Sequence, residues 1–186
     1  MKVYFFLALT FVLLVTANAQ VSNSKEWSKE IALYKSKKYI ADSIIGSSKN
    51  PVKFQIDALA ATSSGELTSL IYTCEDRNVI GMLFNFYGTY WNNNGVVYQG
   101  FDFRNFEKIK ATELLNLVEK NINDYKKYLS DDIDNNNVYF EFEDLKFIIS
   151  QGVYQPHIRV FWKNFEVDWD IVAFGRTKRR LEKRLK

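Results

Sequence analysis

Three short turn signals divide residues 51–103 into runs that can pair only as neighbouring antiparallel strands. The turns lie at 63–65, 75–78 and 92–95, and Asn94-Gly95 is the strongest of them because both residues tolerate positive φ. The runs between the turns are rich in aromatic and β-branched residues, which favour strands. Connections this short exclude parallel crossovers, which need about a dozen residues. The sequence therefore predicts a four-stranded antiparallel meander, with strands at 52–61, 66–75, 78–88 and 95–104.

Apolar residues at helical spacing predict helices on both sides of this meander, at 24–45, 106–129 and 169–185. Alternating apolar residues predict two further strands, at 137–149 and 157–167. In the first of these strands the apolar positions change parity at Glu143-Asp144, which indicates a β-bulge. The predicted fold class is α+β: an N-terminal helix, a four-stranded antiparallel meander, a long helix, a β-hairpin and a C-terminal basic helix.

The first nineteen residues have the three-part pattern of a secretory signal peptide. Lys2 precedes an apolar run at 3–15, and Ala17-Asn18-Ala19 supplies the small residues of a cleavage site before Gln20. A run of about 13 residues is too short for a membrane span, which needs about 20. We expect residues 1–19 to be cleaved, and residues 20–186 to form a single α+β domain. The mature protein is expected to be secreted or periplasmic, with no transmembrane segment.

Few residues are available for the common catalytic chemistries. Cys74 is the only cysteine and His157 the only histidine, so a disulfide and a common zinc site lack the residues they need. A serine triad would depend on His157, and the sequence has no G-x-S-x-G elbow to present its nucleophile. Phosphate-binding glycine loops are also missing. A carboxylate cluster at Glu141, Glu143 and Asp144 leaves a metal-assisted hydrolase open as an alternative.

An acidic loop after the second helix matches part of a calcium-binding pattern. Oxygen ligands at alternate positions can surround a hard cation. The candidate ligands are Asp132, Asp134, Asn136 and Glu143. Asn137 stands where glycine is expected, and a strand follows the loop in place of a second helix. The alternative is a plain Asx-rich loop between a helix and a strand. No cofactor other than calcium is expected.

The chain is strongly basic only at residues 175–186, which hold seven cations and Glu182, a net charge of +6. The whole chain has a net charge of +3, and +2 without Lys2 of the leader, so the remaining body is near −4. An exposed basic helix suits an anionic surface. A solvated helix end is the alternative. The candidate residues are Arg176, Lys178, Arg179, Arg180, Lys183 and Arg184.

Three aromatic residues near the Asn-rich turn are candidates for ligand binding: Tyr87, Tyr90 and Trp91. Aromatic rings beside amide side chains can stack on a sugar or anchor a protein partner. The alternative is a cross-strand aromatic cluster, such as Tyr90 or Trp91 against Tyr98, that closes the hairpin.

The sequence therefore favours an exported, non-catalytic domain that binds a protein, a glycan or an anionic surface. Its two candidate surfaces are the exposed aromatic patch and the basic patch. A hydrolase that uses the carboxylate cluster and a calcium-stabilised structural domain are the alternatives. Nucleic acid is not expected as a partner of an exported chain.

Overall fold

The computed structural model describes residues 29–91 and 97–186, with side chains for 29–88 and 100–186. The predicted signal peptide lies outside the described residues. The predicted α+β class is confirmed, because helices pack on two antiparallel four-stranded sheets.

Sheet A follows the turn signals of the sequence. Helix α1 occupies residues 29–39 and continues as a π-helical turn, Ile40–Ile45, up to Gly46 with a φ of 64°. The four strands of sheet A follow in spatial order as β1 (Gln55–Ala61), β2 (Leu67–Cys74), β3 (Val79–Trp91) and β4 (Val97–Glu107). Each strand pairs antiparallel with its neighbour in the sequence. The predicted meander is thus the observed one.

The long helix predicted at 106–129 is interrupted once. It forms α2 (Lys108–Asp124) and α3 (Lys126–Asp131), with a break at Tyr125. The side of α2 that includes Leu114 and Val118 is buried against the core shared by the two sheets.

Sheet B has four strands where the sequence predicts a hairpin. Its strands follow in order as β5 (Asn137–Phe142), β6 (Leu145–Gln151), β7 (Pro156–Trp162) and β8 (Phe165–Asp168). The predicted bulge at Glu143-Asp144 is wrong, because these residues form a two-residue turn across which Phe142 pairs with Leu145. Paired residues share a face, and this explains the change of apolar parity.

Two hairpins of sheet B turn through residues with left-handed backbone geometry. Glu143 has a φ of 53° in the β5–β6 turn, and Lys163 has a φ of 52° in the β7–β8 turn. Glycine is the usual residue at such positions, and a residue with a Cβ costs about 1–2 kcal/mol more there. The absence of glycine explains why neither turn was predicted from the sequence.

The main core lies between the two sheets and helices α2 and α4 (Ile171–Leu185). Phe84 and Phe86 of β3 project from sheet A. The centre of the Phe84 ring lies 5.0 Å from that of Trp169, and the centre of the Phe86 ring lies 5.0 Å from that of Trp162. The opposite face of sheet A packs on α1 through Leu70, Tyr72 and Leu83. Burial of each large apolar side chain contributes about 1.5–3 kcal/mol, so these two interfaces determine how the layers stack.

Helix α4 is held on sheet A by polar contacts as well as apolar ones. Thr177 and Ser69 are buried, and their hydroxyl oxygens lie 2.6 Å apart. Asp170 caps the helix by accepting a hydrogen bond from Ala173 N–H, and its second oxygen accepts one from Ser63 N–H. The position and rotation of α4 are therefore fixed, which decides which of its cations face solvent.

Candidate functional site

The basic residues of α4 surround a helix whose apolar side is buried. Ala173, Phe174, Thr177 and Leu181 face the core, so residues on the other side of the helix face solvent. The predicted basic helix is therefore present, and its cations divide into two groups according to their contacts.

Three of the six predicted cations form contacts within the protein. Lys178 lies 2.9 Å from Glu182 and 3.3 Å from Glu119. Burial alone would lower the pKa of Lys178, but these carboxylates raise it overall. Arg180 donates a hydrogen bond to the backbone carbonyl of Leu59 in β1.

Arg184 is the third of these cations and lies 2.6 Å from the Asp57 carboxylate, also in β1. Together with Arg180 it covers the outer edge of sheet A, so these two cations serve the packing of α4. Exposed pairs such as Arg184–Asp57 contribute at most about 1 kcal/mol each.

The other three predicted cations have no partner among the described residues. Arg176, Arg179 and Lys183 are exposed and form neither an ion pair nor a hydrogen bond within the described part of the chain. Because they are three and seven residues apart, they lie within an arc of about 60° of the helix circumference. Val172, which is 48% exposed, belongs to the same arc one turn earlier. We call these four residues the basic face of α4.

Two of the three carboxylates in the predicted cluster, Glu143 and Asp144, form contacts between the two sheets. Arg104 of β4 lies 2.6 Å from Glu143 and 2.6 Å from Asp144. Trp162 Nε1 donates a hydrogen bond to the other oxygen of Asp144 at 2.8 Å. Partial burial would raise the pKa of Asp144, but the hydrogen bonds from Trp162 and Arg104 outweigh it and lower this pKa.

Glu141, the third carboxylate of the cluster, does not join the other two. It is exposed and accepts a hydrogen bond from the Tyr139 hydroxyl. A general acid requires a carboxyl with a raised pKa in a cleft. Among the described residues, Glu141 does not join Glu143 and Asp144 at Arg104, and the pKa of Asp144 is lowered, the opposite of what a general acid requires.

One of the four predicted calcium ligands, Glu143, lies far from the other three, which share one loop. Asp132 accepts hydrogen bonds from the backbone and the side chain of Asn135, as an Asx turn does, and the side-chain bond lowers its pKa. Glu143 lies beyond the far end of β5, about 20 Å along the strand. Ligands of one calcium ion must all lie within 2.3–2.6 Å of it. Within the described residues, no group of three or more histidine, cysteine or acidic side chains is placed to hold a metal.

Of the predicted aromatic residues, only Tyr87 has a described side chain. It is half-buried, and its ring stacks on that of Phe101 in β4 at 4.5 Å. The backbone of Tyr90 pairs with Tyr98, as the cluster alternative requires, but the side chains of Tyr90 and Trp91 lie outside the described residues. The contact with Phe101 leaves the Tyr87 ring one face at most for a ligand.

A groove between α1 and β4 has no counterpart in the sequence predictions. Its volume is about 490 Å³, and Lys35, Tyr39, Phe101 and Phe103 are among the residues that line it. Tyr39 and Phe103 stack at 5.1 Å, which joins the helix to the strand at one end of the groove. No local pattern links residues this far apart in the sequence, so only the tertiary structure could find this groove.

His157 and Cys74 do not form a catalytic pair. Cys74 is buried in β2 of sheet A, whereas His157 is half-exposed in β7 of sheet B, 3.6 Å from Asp168.

No described helix is both long enough and apolar enough to cross a membrane. Comparisons with protein families, curated proteins and solved structures find no match to this chain.

Proposed function

We propose that this chain is an exported, non-catalytic domain that binds an anionic surface through the basic face of α4. One observation carries the proposal. Arg176, Arg179 and Lys183 have no described partner and share one arc of the helix, whereas the other three predicted cations are used in packing. Cations without internal partners are free to bind an external anion.

The arrangement of the basic face suits the headgroup layer of an anionic membrane. Its cations lie roughly opposite the buried residues of α4, so all three can approach a flat surface together. Val172 adds an exposed apolar side chain at one end of the same arc. Each Lys or Arg near an anionic bilayer contributes about 1 kcal/mol, so three contribute about 3 kcal/mol.

The signal pattern at 1–19 supports export, and the pairing of Glu143 and Asp144 with Arg104 supports a structural role for these carboxylates. We therefore favour a binding domain over the metal-assisted hydrolase and the calcium-stabilised domain. A protein or glycan contact through Tyr87, Tyr90 and Trp91 stays a prediction.

Vesicle sedimentation of the mature chain, residues 20–186, tests the proposal. We expect binding to vesicles of phosphatidylglycerol and phosphatidylcholine at 0.05 M salt, and release at about 0.5 M salt because the Debye length shortens. The triple variant Arg176→Gln, Arg179→Gln and Lys183→Gln should bind about 100-fold more weakly, the equivalent of about 3 kcal/mol.

A matched variant separates the basic face from net charge. Lys49→Gln, Lys126→Gln and Lys127→Gln remove the same three charges at exposed positions without a described ion pair. This variant should bind within about threefold of wild type. Equal loss in both variants, or no binding of wild type at 0.05 M salt, would refute the proposal. Binding to polyglutamate without binding to vesicles would identify an acidic protein as the partner.

A further inference from the structure

The outer edge of β4 has no strand beside it in the described structure. Sheet A ends with β4, whose pairing partner is β3. The opposite edge of the sheet, at β1, is covered by α4 and by Arg180, which donates a hydrogen bond to the Leu59 carbonyl. An uncovered edge strand presents unpaired backbone groups to which another chain can bind.

Backbone orientation shows which groups of β4 face this edge. Phe103 N–H donates to the Asp102 carboxylate at 2.8 Å and so points away from β3. Residues two apart in a strand have the same orientation, so the N–H and C=O of Phe101 also point outward. No described residue forms a hydrogen bond with them across the edge. Phe101 therefore presents a donor and an acceptor that have no partner among the described residues.

The groove described above runs beside this free edge. Helix α1 supplies one wall with Lys35, Tyr39 and Ser43, and β4 supplies the other with Gly100, Phe101 and Phe103. A groove between a helix and an edge strand is the geometry in which extended peptides add a strand to a sheet. Alternate side chains of such a peptide would point toward α1 and contact the rings of Tyr39 and Phe101.

The charge of the groove determines which peptides it can favour. The Nζ of Lys35 lies 5.8 Å from the centre of the Phe101 ring, and no carboxylate pairs with it in the described structure. Lys38, by contrast, is already paired with Asp42 at 2.5 Å. Lys35 thus has no carboxylate partner in the described part of the chain and lies above an aromatic wall, which favours an acidic side chain flanked by apolar ones.

We propose that this groove binds an extended peptide segment of another protein, which adds to β4 as a fifth strand of sheet A and places an acidic side chain at Lys35. The proposal uses a different surface and a different partner class from the basic face of α4 and does not rest on it. Backbone hydrogen bonds at Phe101 provide the attachment, and Lys35 provides the selectivity.

Selection from a random heptapeptide phage library against residues 20–186 tests the proposal, followed by fluorescence anisotropy of a selected peptide. We expect enrichment of peptides that have an acidic residue and apolar residues at alternate positions. Lys35→Glu should weaken the binding of that peptide at least about tenfold, the loss of one charge-assisted contact. Lys37→Glu is the matched control, because Lys37 is an exposed lysine of the same helix outside the groove. Its affinity should stay within about twofold of wild type.

A second pair of variants tests the strand addition itself. Phe101→Pro removes the outward N–H at an edge position where proline is tolerated, and Phe101→Val keeps this N–H but removes the ring. We expect no measurable binding to the proline variant and less than about tenfold weakening in the valine variant. Urea unfolding shows whether each variant is folded. If the proline variant is not folded, the comparison of Lys35→Glu with Lys37→Glu decides whether the groove binds the peptide.

Several results would overturn the proposal: no enriched peptide, equal affinity for wild type and Lys35→Glu, or equal affinity for the two folded Phe101 variants. A dimer that Phe101→Pro abolishes, seen by analytical ultracentrifugation, would assign the edge to a second copy of this chain and would likewise refute peptide binding.

Discussion

Gly81 lies where sheet A leaves no room for a side chain. It pairs with Tyr72 across β3 and β2, and a Cβ at Gly81 would lie 2.4 Å from the Tyr72 hydroxyl oxygen and 2.6 Å from two carbons of its ring. Tyr72 is 1% exposed, and burial raises its pKa to about 12. Its hydroxyl donates a hydrogen bond to Asn105 at 2.9 Å. We expect Gly81→Ala to displace this buried ring.

The contacts set the size of the effect. Normal carbon contacts of 3.5–4.0 Å require the ring to move by about 1 Å, which breaks the hydrogen bond to Asn105. Overpacking costs about 1–3 kcal/mol and the lost hydrogen bond about 1 kcal/mol. Alanine regains about 0.5–1 kcal/mol because it restricts the unfolded chain. The free energy of unfolding should therefore fall by about 2 kcal/mol, and Tm by roughly 4–8 °C.

Gly88→Ala is a control on the same strand. A Cβ at Gly88 would lie 3.7 Å from Phe165, an ordinary contact, so only the gain from restricting the unfolded chain applies and stability should rise by at most about 1 kcal/mol. Urea unfolding followed by fluorescence measures both variants. In a Tyr72→Leu background, Gly81→Ala should cost much less, because the obstructing ring is gone. Equal effects of the two glycine variants, or an unchanged cost in the leucine background, would refute the reasoning.

Two other contacts give predictions for stability. Asp170→Ala should lower the free energy of unfolding by about 1–2 kcal/mol, measured in urea, because it removes the α4 cap and the hydrogen bond to Ser63; an unchanged midpoint would show that the cap is dispensable. The pKa of Asp144 is lowered on folding, so its contribution is present above the unfolded pKa of about 3.9 and is lost as the pH falls through the folded value. Arg104→Gln should flatten this decline in stability below about pH 4, and an acid profile parallel to that of wild type would contradict the assignment.

The sequence was sufficient for sheet A because its turns carry strong local signals. It was insufficient for sheet B, where Glu143 and Lys163 occupy left-handed turn positions without glycine. Tertiary packing imposes this geometry on them, and no window of neighbouring residues records it. The predicted strand 137–149 contained the correct apolar residues, and only the turn between its halves was missed.

The candidate sites, like the sheets, could be predicted from the sequence only in part. Helical spacing predicted which cations α4 carries, but Arg184 finds its partner in Asp57, far away in the sequence. The carboxylates Glu143 and Asp144 were identified as a cluster, yet their partner Arg104 belongs to the other sheet. A cation that is free and a cation that is paired have the same sequence signature, so only the fold distinguishes Arg179 from Arg184.

The two left-handed turns also contribute to the alignment of the sheets. Lys163 pairs with Asp102 at 2.6 Å, and Glu143 pairs with Arg104. The basic turn thus contacts an acidic residue of β4, and the acidic turn contacts a basic residue of the same strand. A shift of two residues along β4 would place either Lys163 beside Arg104 or Glu143 beside Asp102. Like charges in contact are unfavourable, so the shifted arrangement loses a pair and gains a repulsion. These two charge pairs therefore favour the observed register between the sheets, in addition to the packing of the apolar interface.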